Sequence, residues 1–301
     1  MNKKIKVFLL ACVLVVMCCI GFNVGATDEA KAEVKGHSLT ITESGISVNF
    51  YVDIKGDVSV TLNEEKVDVP TETKTIIIDA KAYECYVLTQ PVVAKEMDDE
   101  VTLSIVSGEE ELVRDSYCVN DYVAQVQEGG YGYNLENLAS AMTYYGEFAE
   151  VYFGYNGATN TSANAVSYIA DVTEAQFEDY AMSVNKANMP EGLSYYATQL
   201  NLNSEITLRL LFKVEGVEAS SYGDFTADGM DLGKLKKSGD YYYIDIEGIG
   251  ADKLGNGYTI KCGDVEIISN CSVLTYARAV VKNSTKESLV NLAKSLYMYN
   301  Q

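Results

Sequence analysis

An internal sequence repeat restricts the fold of this chain more than any other feature of its sequence. The stretch NLASAMTYYGE recurs at the C-terminus as NLAKSLYMYNQ, which matches Leu138 with Leu292 and Tyr145 with Tyr299 at a shift of 154. Further upstream, VVAKEMDDEVTLSIV aligns with IGADKLGNGYTIKC at a shift of 157, and SGISVNFYV aligns with SEITLRLLF at a shift of 160. Matches in the same order, with small changes of shift, are what loop deletions leave in a duplicated domain. The sequence therefore predicts two copies of one folded unit.

Each copy begins with segments in which apolar and polar residues alternate, the pattern of a half-buried β-strand. In ISVNFYVDI the apolar positions are Ile46, Val48, Phe50 and Val52, and the second copy repeats the alternation from Leu208. Turn residues such as KGD and SGD separate the segments. Several short strands at this spacing predict an Ig-like antiparallel β-sandwich in each copy.

The period then changes to that of an amphipathic helix. Apolar residues recur at steps of three and four from Leu135 to Tyr152 and from Leu289 to Tyr299, and a shorter helix is predicted before each, around 121–126 and 275–280. We expect Tyr145 and Tyr299 each to face the sheet of its own copy. The fold class is therefore predicted as α+β, with two tandem repeats that each consist of a sandwich followed by a helix pair.

Two helix starts have capping signals. Ser284 to Glu287 reads as a capping box for the last helix, and Thr173 with Gln176 reads as one for a short helix between the copies. The segment between the copies is rich in Asn, Ser, Thr and Ala, which is typical of a linker. The predicted organisation is a signal peptide (1–26), repeat 1 (27–156), a linker with a short helix (157–192) and repeat 2 (193–301).

The N-terminus has the parts of a secretory signal peptide: basic MNKKIK, an apolar run from Val7 to Phe22, and small residues before a cleavage site after Ala26. The alternative is an uncleaved membrane anchor, because the apolar run is only slightly short of a spanning helix. With cleavage, no membrane span is expected in the mature chain, and the protein is predicted to be secreted, either free or associated with the cell surface. The formal net charge of −20 disfavours binding to nucleic acid, since the phosphate backbone would be repelled.

Four cysteines lie beyond the signal segment: Cys85, Cys118, Cys262 and Cys271. The segment KCGDVEIISNC reads as a hairpin that carries its two cysteines out of disulfide reach. Buried free thiols are predicted, with a bridge from Cys85 to Cys118 as the alternative.

Few residues could support catalysis. His37 is the only histidine, and its position near the mature N-terminus predicts a surface residue rather than a member of a triad. Paired carboxylates could in principle hydrolyse glycosides, but repeats of this size seldom form the deep cleft that glycosidases need. The chain is therefore predicted not to be an enzyme.

Acidic loops suggest a weak calcium site. Asp224, Asp228 and Asp231 lie close together in the second copy, and oxygen ligands are what Ca²⁺ prefers. The EF-hand pattern fails, because Thr226 and Leu235 occupy two ligand positions. Solvated loops are the alternative, and no other cofactor is expected.

Aromatic residues offer the only other binding signal, since the chain has 23 tyrosines and no tryptophan. Period-two alternation puts Cys85 and Val87 on the inner face of a strand, which turns Tyr86 outward; the same reasoning turns Tyr243 outward in the second copy. An outward tyrosine at the same place on both sheets could stack against a sugar ring or a peptide. It could equally be an ordinary strand-forming residue.

The order of these segments, with VVAKEM and YFGYN as its most specific parts, resembles that of tandem modules found in secreted proteins of anaerobic Gram-positive bacteria. The resemblance covers nearly all of the mature chain. It implies export and a surface setting, and it brings no catalytic motif. One departure is that EFAEVYFGYN continues the helix of copy one beyond Tyr145, whereas copy two stops two residues after Tyr299.

The sequence thus predicts a non-catalytic extracellular protein that binds a glycan or a cell-surface protein. An alternative is an assembly module that oligomerises through its helix pairs, in which case Tyr145 or Tyr152 would lie at the contact. A carboxylate-dependent hydrolase is the third possibility.

Overall fold

The structure is a computed structural model that describes residues 29–301 apart from 43–44, 79 and 203–204. The predictions about the signal segment lie outside these residues. The fold is mixed, with antiparallel sheets and α-helices, so the predicted α+β class is confirmed. The chain divides into two compact units. The first contains the described residues up to Ile41, together with Ile46–Val92 and Asp98–Tyr122. The second contains Thr42–Gly45, Val93–Met97 and Val123–Gln301.

The first unit contains two four-stranded sheets, ordered β1-β2-β6-β5 and β4-β3-β7-β8. Its strands are β1 (Lys31–Thr42), β2 (Gly45–Lys55), β3 (Ser59–Leu62), β4 (Glu65–Val67), β5 (Lys74–Ile78), β6 (Lys81–Val92), β7 (Val101–Ser107) and β8 (Glu110–Tyr117).

The inner face of the β1-β2-β6-β5 sheet follows the predicted alternation. Val48, Phe50 and Val52 have no exposed surface. Phe50 meets the ring of His37 edge-on at 5.1 Å, and His37 in turn stacks on Tyr117 of β8 at 4.5 Å. Because β8 belongs to the opposite sheet, this face lies between the two sheets and forms their common core.

The other face of the same sheet is also buried, which the alternation did not predict. Tyr51, Ile76, Ile78 and Cys85 form a separate apolar cluster, with Val87 packed against it. Strands β2 and β6 therefore carry apolar side chains on both faces, the pattern of a strand that is covered on both sides.

The second unit has sheets ordered β10-β11-β15-β14 and β13-β12-β16-β17-β9. Its strands are β9 (Ser183–Val184), β10 (Leu193–Asn201), β11 (Thr207–Val214), β12 (Phe225–Ala227), β13 (Met230–Gly233), β14 (Lys236–Ser238), β15 (Tyr241–Ile246), β16 (Tyr258–Cys262) and β17 (Val265–Cys271). Leu208, Leu210 and Phe212 of β11 are fully buried, and Phe212 packs against Phe225 of the opposite sheet at 5.8 Å between ring centroids. Strand for strand, the order β10-β11-β15-β14 corresponds to β1-β2-β6-β5, and β13-β12-β16-β17 corresponds to β4-β3-β7-β8.

The helices are α1 (Val119–Gln127), α2 (Tyr133–Phe153), α3 (Ala163–Tyr168), α4 (Val273–Asn283) and α5 (Glu287–Tyr299), so both predicted helix pairs are present. The capping box of Thr173 and Gln176 is confirmed, on a short 3₁₀ turn. The predicted box at Ser284 is wrong: its hydroxyl accepts from the Lys286 amide outside α5, and no side chain caps that helix. The capping box at the start of α4 pairs Ser272 with Thr275 instead.

Helices α2 and α5, which the repeat alignment matches with each other, pack together within the second unit. Tyr145 stacks on Tyr299 with 5.1 Å between ring centroids, and both rings are buried. The expectation that each tyrosine faces the sheet of its own copy is therefore wrong, because the two rings face each other.

A 3₁₀ turn contacts the residue that follows each of these two tyrosines, Gly146 after Tyr145 and Asn300 after Tyr299. A Cβ on Gly146 would lie 3.0 Å from the Met97 sulfur and 3.1 Å from the Ala94 carbonyl oxygen, so any other residue would push the turn at 94–96 away by a few tenths of an ångström. At the matching position of α5, Asn300 accepts a hydrogen bond from the Gly255 amide at 3.0 Å, just after the turn at 251–253. The two contacts use different chemistry at equivalent places.

We predict that Tyr145→Ala lowers the free energy of unfolding by roughly 3–5 kcal/mol, because removing a buried aromatic ring leaves a cavity. Tyr133→Ala is the matched control, since Tyr133 is 77% exposed at the start of α2 and its loss should cost no more than about 0.5 kcal/mol. Denaturant titration of both variants measures the difference. Equal stability of the two would contradict the stacking role of Tyr145.

Candidate functional site

The outer face of the β10-β11-β15-β14 sheet collects tyrosines and cations. Strand register pairs Leu210 with Ile244 on the inner face and Leu211 with Tyr243 on the outer face, so Tyr243 lies on the outer face, as the alternation predicts. We call this surface the aromatic face and define it by six side chains: Tyr196, Arg209, Lys213, Lys236, Tyr241 and Tyr243. Its role in binding remains a prediction.

A bulge in β10 places Tyr196 on this surface. The register with β11 shifts between Tyr195 and Ala197, and Tyr196 is 50% exposed. Its ring stacks on Tyr241 at 4.4 Å, and the Lys213 ammonium lies 5.1 Å from the ring centroid of Tyr196. The hydrogen bond between Tyr196 and Tyr241 raises the pKa of Tyr241. The result is an aromatic platform with a cation beside it.

Arg209 is held in a fixed orientation on the same face. Its Nε and Nη2 donate to the two carboxylate oxygens of Asp245 at 2.7 and 2.9 Å, and its guanidinium lies 3.8 Å from the Tyr243 ring centroid. The hydrogen bond to Asp245 raises the pKa of Arg209. Among the described residues no side chain or carbonyl pairs with Nη1, which leaves a positioned donor for a ligand.

The aromatic face differs in charge from the chain as a whole. It presents Arg209, Lys213 and Lys236, with Asp245 paired to Arg209 and with Glu247 and Asp240 close enough to act on Arg209 and Tyr241, whereas the full sequence has 43 acidic and 23 basic residues. Arg209 and Lys213 could have been found from TLRLLFKV, where they are the polar members of an apolar strand. The position of Tyr196 on this face could not have been predicted, because the sequence has no signal for the bulge in β10.

Tyr86 does not lie where the sequence predicts. Register pairs Val52 with Tyr86 and Phe50 with Leu88, so Tyr86 shares the inner face of its sheet with Phe50. The pair of Phe50 and Leu88 corresponds to the pair of Leu210 and Ile244. Two residues further along, the pair of Val52 and Tyr86 corresponds to that of Phe212 and Tyr242, so the counterpart of Tyr86 is Tyr242 and not Tyr243. The predicted alignment was one residue out of step, and a slip of one residue moves a side chain to the opposite face.

Among the described residues of the first unit, the corresponding positions do not form an aromatic face. Register puts Asn49 and Thr89 where the second unit has Arg209 and Asp245. The Thr89 hydroxyl donates to Asn49 Oδ1 at 2.8 Å, and the Asn49 amide donates to Thr40 at 2.7 Å. Asn49 is buried and Thr89 is exposed, so the pair replaces the ion pair of the second unit with a neutral hydrogen bond.

The three candidate calcium ligands are engaged separately. Asp228 and Gly229 have positive φ in the β12–β13 turn, and Asp228 Oδ1 accepts from the Thr259 amide. Asp231 Oδ1 accepts from the Gly233 amide, and Asp224 lies 3.3 Å from the Lys234 ammonium. Across the described part of the chain, no cluster of three or more His, Cys, Asp or Glu side chains could hold a metal ion. The structure thus does not bring Asp224, Asp228 and Asp231 together as a site.

His37 is not the surface residue that its position predicted. It lies in β1, stacked on Tyr117, and its Nε2 is 2.8 Å from Asp115 Oδ2. The strand around His37 was not predicted, because the charged residues Lys31, Glu33 and Lys35 alternate with small or apolar ones before it and give the segment a polar composition.

The four cysteines are buried free thiols, and the alternative bridge from Cys85 to Cys118 is not formed. Desolvation by burial raises the pKa of Cys118 to about 11 and that of Cys271 to about 12. Thiolate is the nucleophilic form, so these side chains are poor candidates for catalysis.

We predict that iodoacetamide leaves all four thiols unmodified in the native protein at mildly alkaline pH, because each is buried and its raised pKa keeps it protonated. Peptide mapping by mass spectrometry checks each site, with protein unfolded in guanidinium chloride as the positive control. Rapid native labelling of Cys271 would contradict the burial.

A groove lies beside the free edge of β10, entirely within the second unit. Its first lobe, about 420 Å³, is bounded by β10, α5 and the end of α2, and its second lobe, about 410 Å³, lies between β10 and α4. Thr198 and Tyr276 line both lobes, so the lobes adjoin. The side chains that make up the first lobe are Tyr152, Phe153, Thr198, Gln199, Leu200, Asn201, Leu202, Arg209, Tyr276, Leu289, Leu292, Ala293 and Leu296.

No protein-family model and no curated protein sequence matches this chain. Among its described helices, none is both long enough and apolar enough to cross a membrane. Its function is therefore argued from the chemistry of its own surfaces.

Proposed function

We propose that the protein is a secreted, non-catalytic binding protein of two Ig-like-plus-helix repeats, and that the aromatic face of the second repeat binds a glycan at the cell surface. The signal-like N-terminal sequence supports export. The corresponding strand orders in the two units support the repeat, as does the equivalence of the α2 and α5 contacts.

The observation that carries the proposal is the rigid arrangement of exposed Tyr196 with half-buried Tyr241 and Tyr243. Tyrosine offers an apolar ring to the hydrophobic face of a sugar and a hydroxyl to its polar rim. The stack of Tyr196 on Tyr241 and the clamp of Arg209 on Tyr243 hold these rings before a ligand arrives, so little side-chain entropy is lost on binding. Lys213 and the free Nη1 of Arg209 would donate to sugar hydroxyls or carboxylates.

The assembly alternative is less well supported, because its proposed contact residues are used within the chain. Tyr145 is buried against Tyr299, and the Lys286 ammonium lies 4.2 Å from the ring centroid of Tyr152. A second molecule would have to displace both contacts. No observation favours the hydrolase.

We predict that Tyr196→Ala combined with Tyr241→Ala weakens glycan binding at least tenfold, since each lost ring costs on the order of 1 kcal/mol. The measurement is titration against neutral and acidic cell-wall polysaccharide fragments selected on a glycan array. The matched control combines Tyr131→Ala with Tyr133→Ala at the start of α2, away from the aromatic face. Binding that survives the first double variant, or a wild-type protein that binds no glycan on the array, would refute the proposal.

A further inference from the structure

The groove is bounded on one side by a strand with an unpaired edge. In the sheet order β10 comes first, and its only strand neighbour among the described residues is β11. In an antiparallel strand, alternate residues direct their N–H and C=O groups away from the paired neighbour. Within the described chain, the main-chain groups of Thr198, Gln199 and Leu200 bond to nothing beyond β11. The free edge therefore offers donors and acceptors spaced for another extended chain.

The lining of the groove is poor in charge. Charged residues make up 22% of the sequence, yet of the described residues that line either lobe only Arg209 is charged. Depletion of charged residues with enrichment of aromatic ones is the composition of the centre of a binding interface. Leu292, Ala293 and Leu296 form an apolar floor, and Tyr152 and Tyr276 form aromatic walls.

One wall of the groove comes from the C-terminal end of α2. This helix continues about two turns beyond Tyr145, to Phe153. Those turns carry Tyr152 and Phe153 into the first lobe, and the ammonium of Lys286, the residue just before α5, lies 4.2 Å from the Tyr152 ring centroid. The last turns of α2 therefore form part of this groove.

We propose that the groove binds an extended peptide segment of a partner protein by strand addition to β10. An apolar side chain of the peptide enters the lobe between Tyr152 and Tyr276, and a carboxylate of the peptide accepts from Arg209 Nη1. Each lobe has the size of a small-ligand site, while the unpaired strand edge along both lobes fits a polypeptide better than a compact molecule. This site is separate from the glycan surface proposed above, except that Arg209 borders both.

The test uses the full chain and a synthetic array of eight-residue peptides in which Val and Thr alternate around one Leu, Phe or Tyr, each made as free acid and as amide. We expect free-acid peptides to bind several-fold more tightly than their amides. Hydrogen–deuterium exchange should show that a bound peptide slows those amides of 198–200 in β10 that point away from β11, which is the signature of a new strand neighbour. Exchange that slows elsewhere and not in β10, or a wild-type protein that binds no peptide, overturns the inference.

A variant pair locates the site independently. Leu289→Glu puts a charge into the half-buried floor of the first lobe, and Val166→Glu makes the same kind of change at an exposed position of α3. We expect Leu289→Glu to weaken peptide binding at least tenfold while glycan binding is unchanged, and Val166→Glu to alter neither. Glycan binding also reports that the Leu289→Glu protein is folded. Equal peptide affinity of the two variants overturns the inference. The two proposals are separated by the Tyr196 and Tyr241 double variant, which should lose glycan binding, whereas Leu289→Glu should lose only peptide binding.

Discussion

The stack of Tyr145 on Tyr299 is the contact on which the second unit depends. Two amphipathic helices of matching sequence meet through these buried rings, while Leu292 and Leu296 of α5 line the groove beside β10. Once this pair is fixed, the position of every later residue of α2 follows from helix geometry. Phe153 and Tyr152 lie beside α5 and the edge of β10 because the helix continues in the direction that Tyr145 has already set.

The two sheets that begin the units differ in what their outer faces do. In the first, Tyr51 and Cys85 are buried in an apolar cluster, and Asn49 is occupied by hydrogen bonds to its neighbours. In the second, Arg209 and Tyr243 occupy the register-equivalent region and remain accessible. The two corresponding sheets thus share apolar inner faces, whereas the outer face carries an apolar cluster in the first unit and tyrosines with cations in the second.

Much of this could be read from the sequence where the signal is local. Alternation identified the inner faces around Phe50 and Leu210, and the three-and-four spacing identified α2 and α5. Local signals failed where both faces of a strand are apolar: in CYVL of β6 no polar residue marks the outside, so Tyr86 was assigned to the wrong face. His37 was missed because its partners, Asp115 and Tyr117, come from a strand far along the chain. The groove had no sequence signal, since it combines α2, α4, α5 and β10, which only the tertiary structure brings together.

The junctions at Gly146 and Asn300 with their 3₁₀ turns are made in two different ways. Gly146 makes room for Met97 by having no side chain, whereas Asn300 uses its side chain to hold the Gly255 amide. Exchanging the two residues would place an amide side chain against Met97 and leave the Gly255 amide without its acceptor. A chimaera that joined the helix end of one unit to the turn of the other would therefore lose both contacts, so each junction residue suits only its own turn.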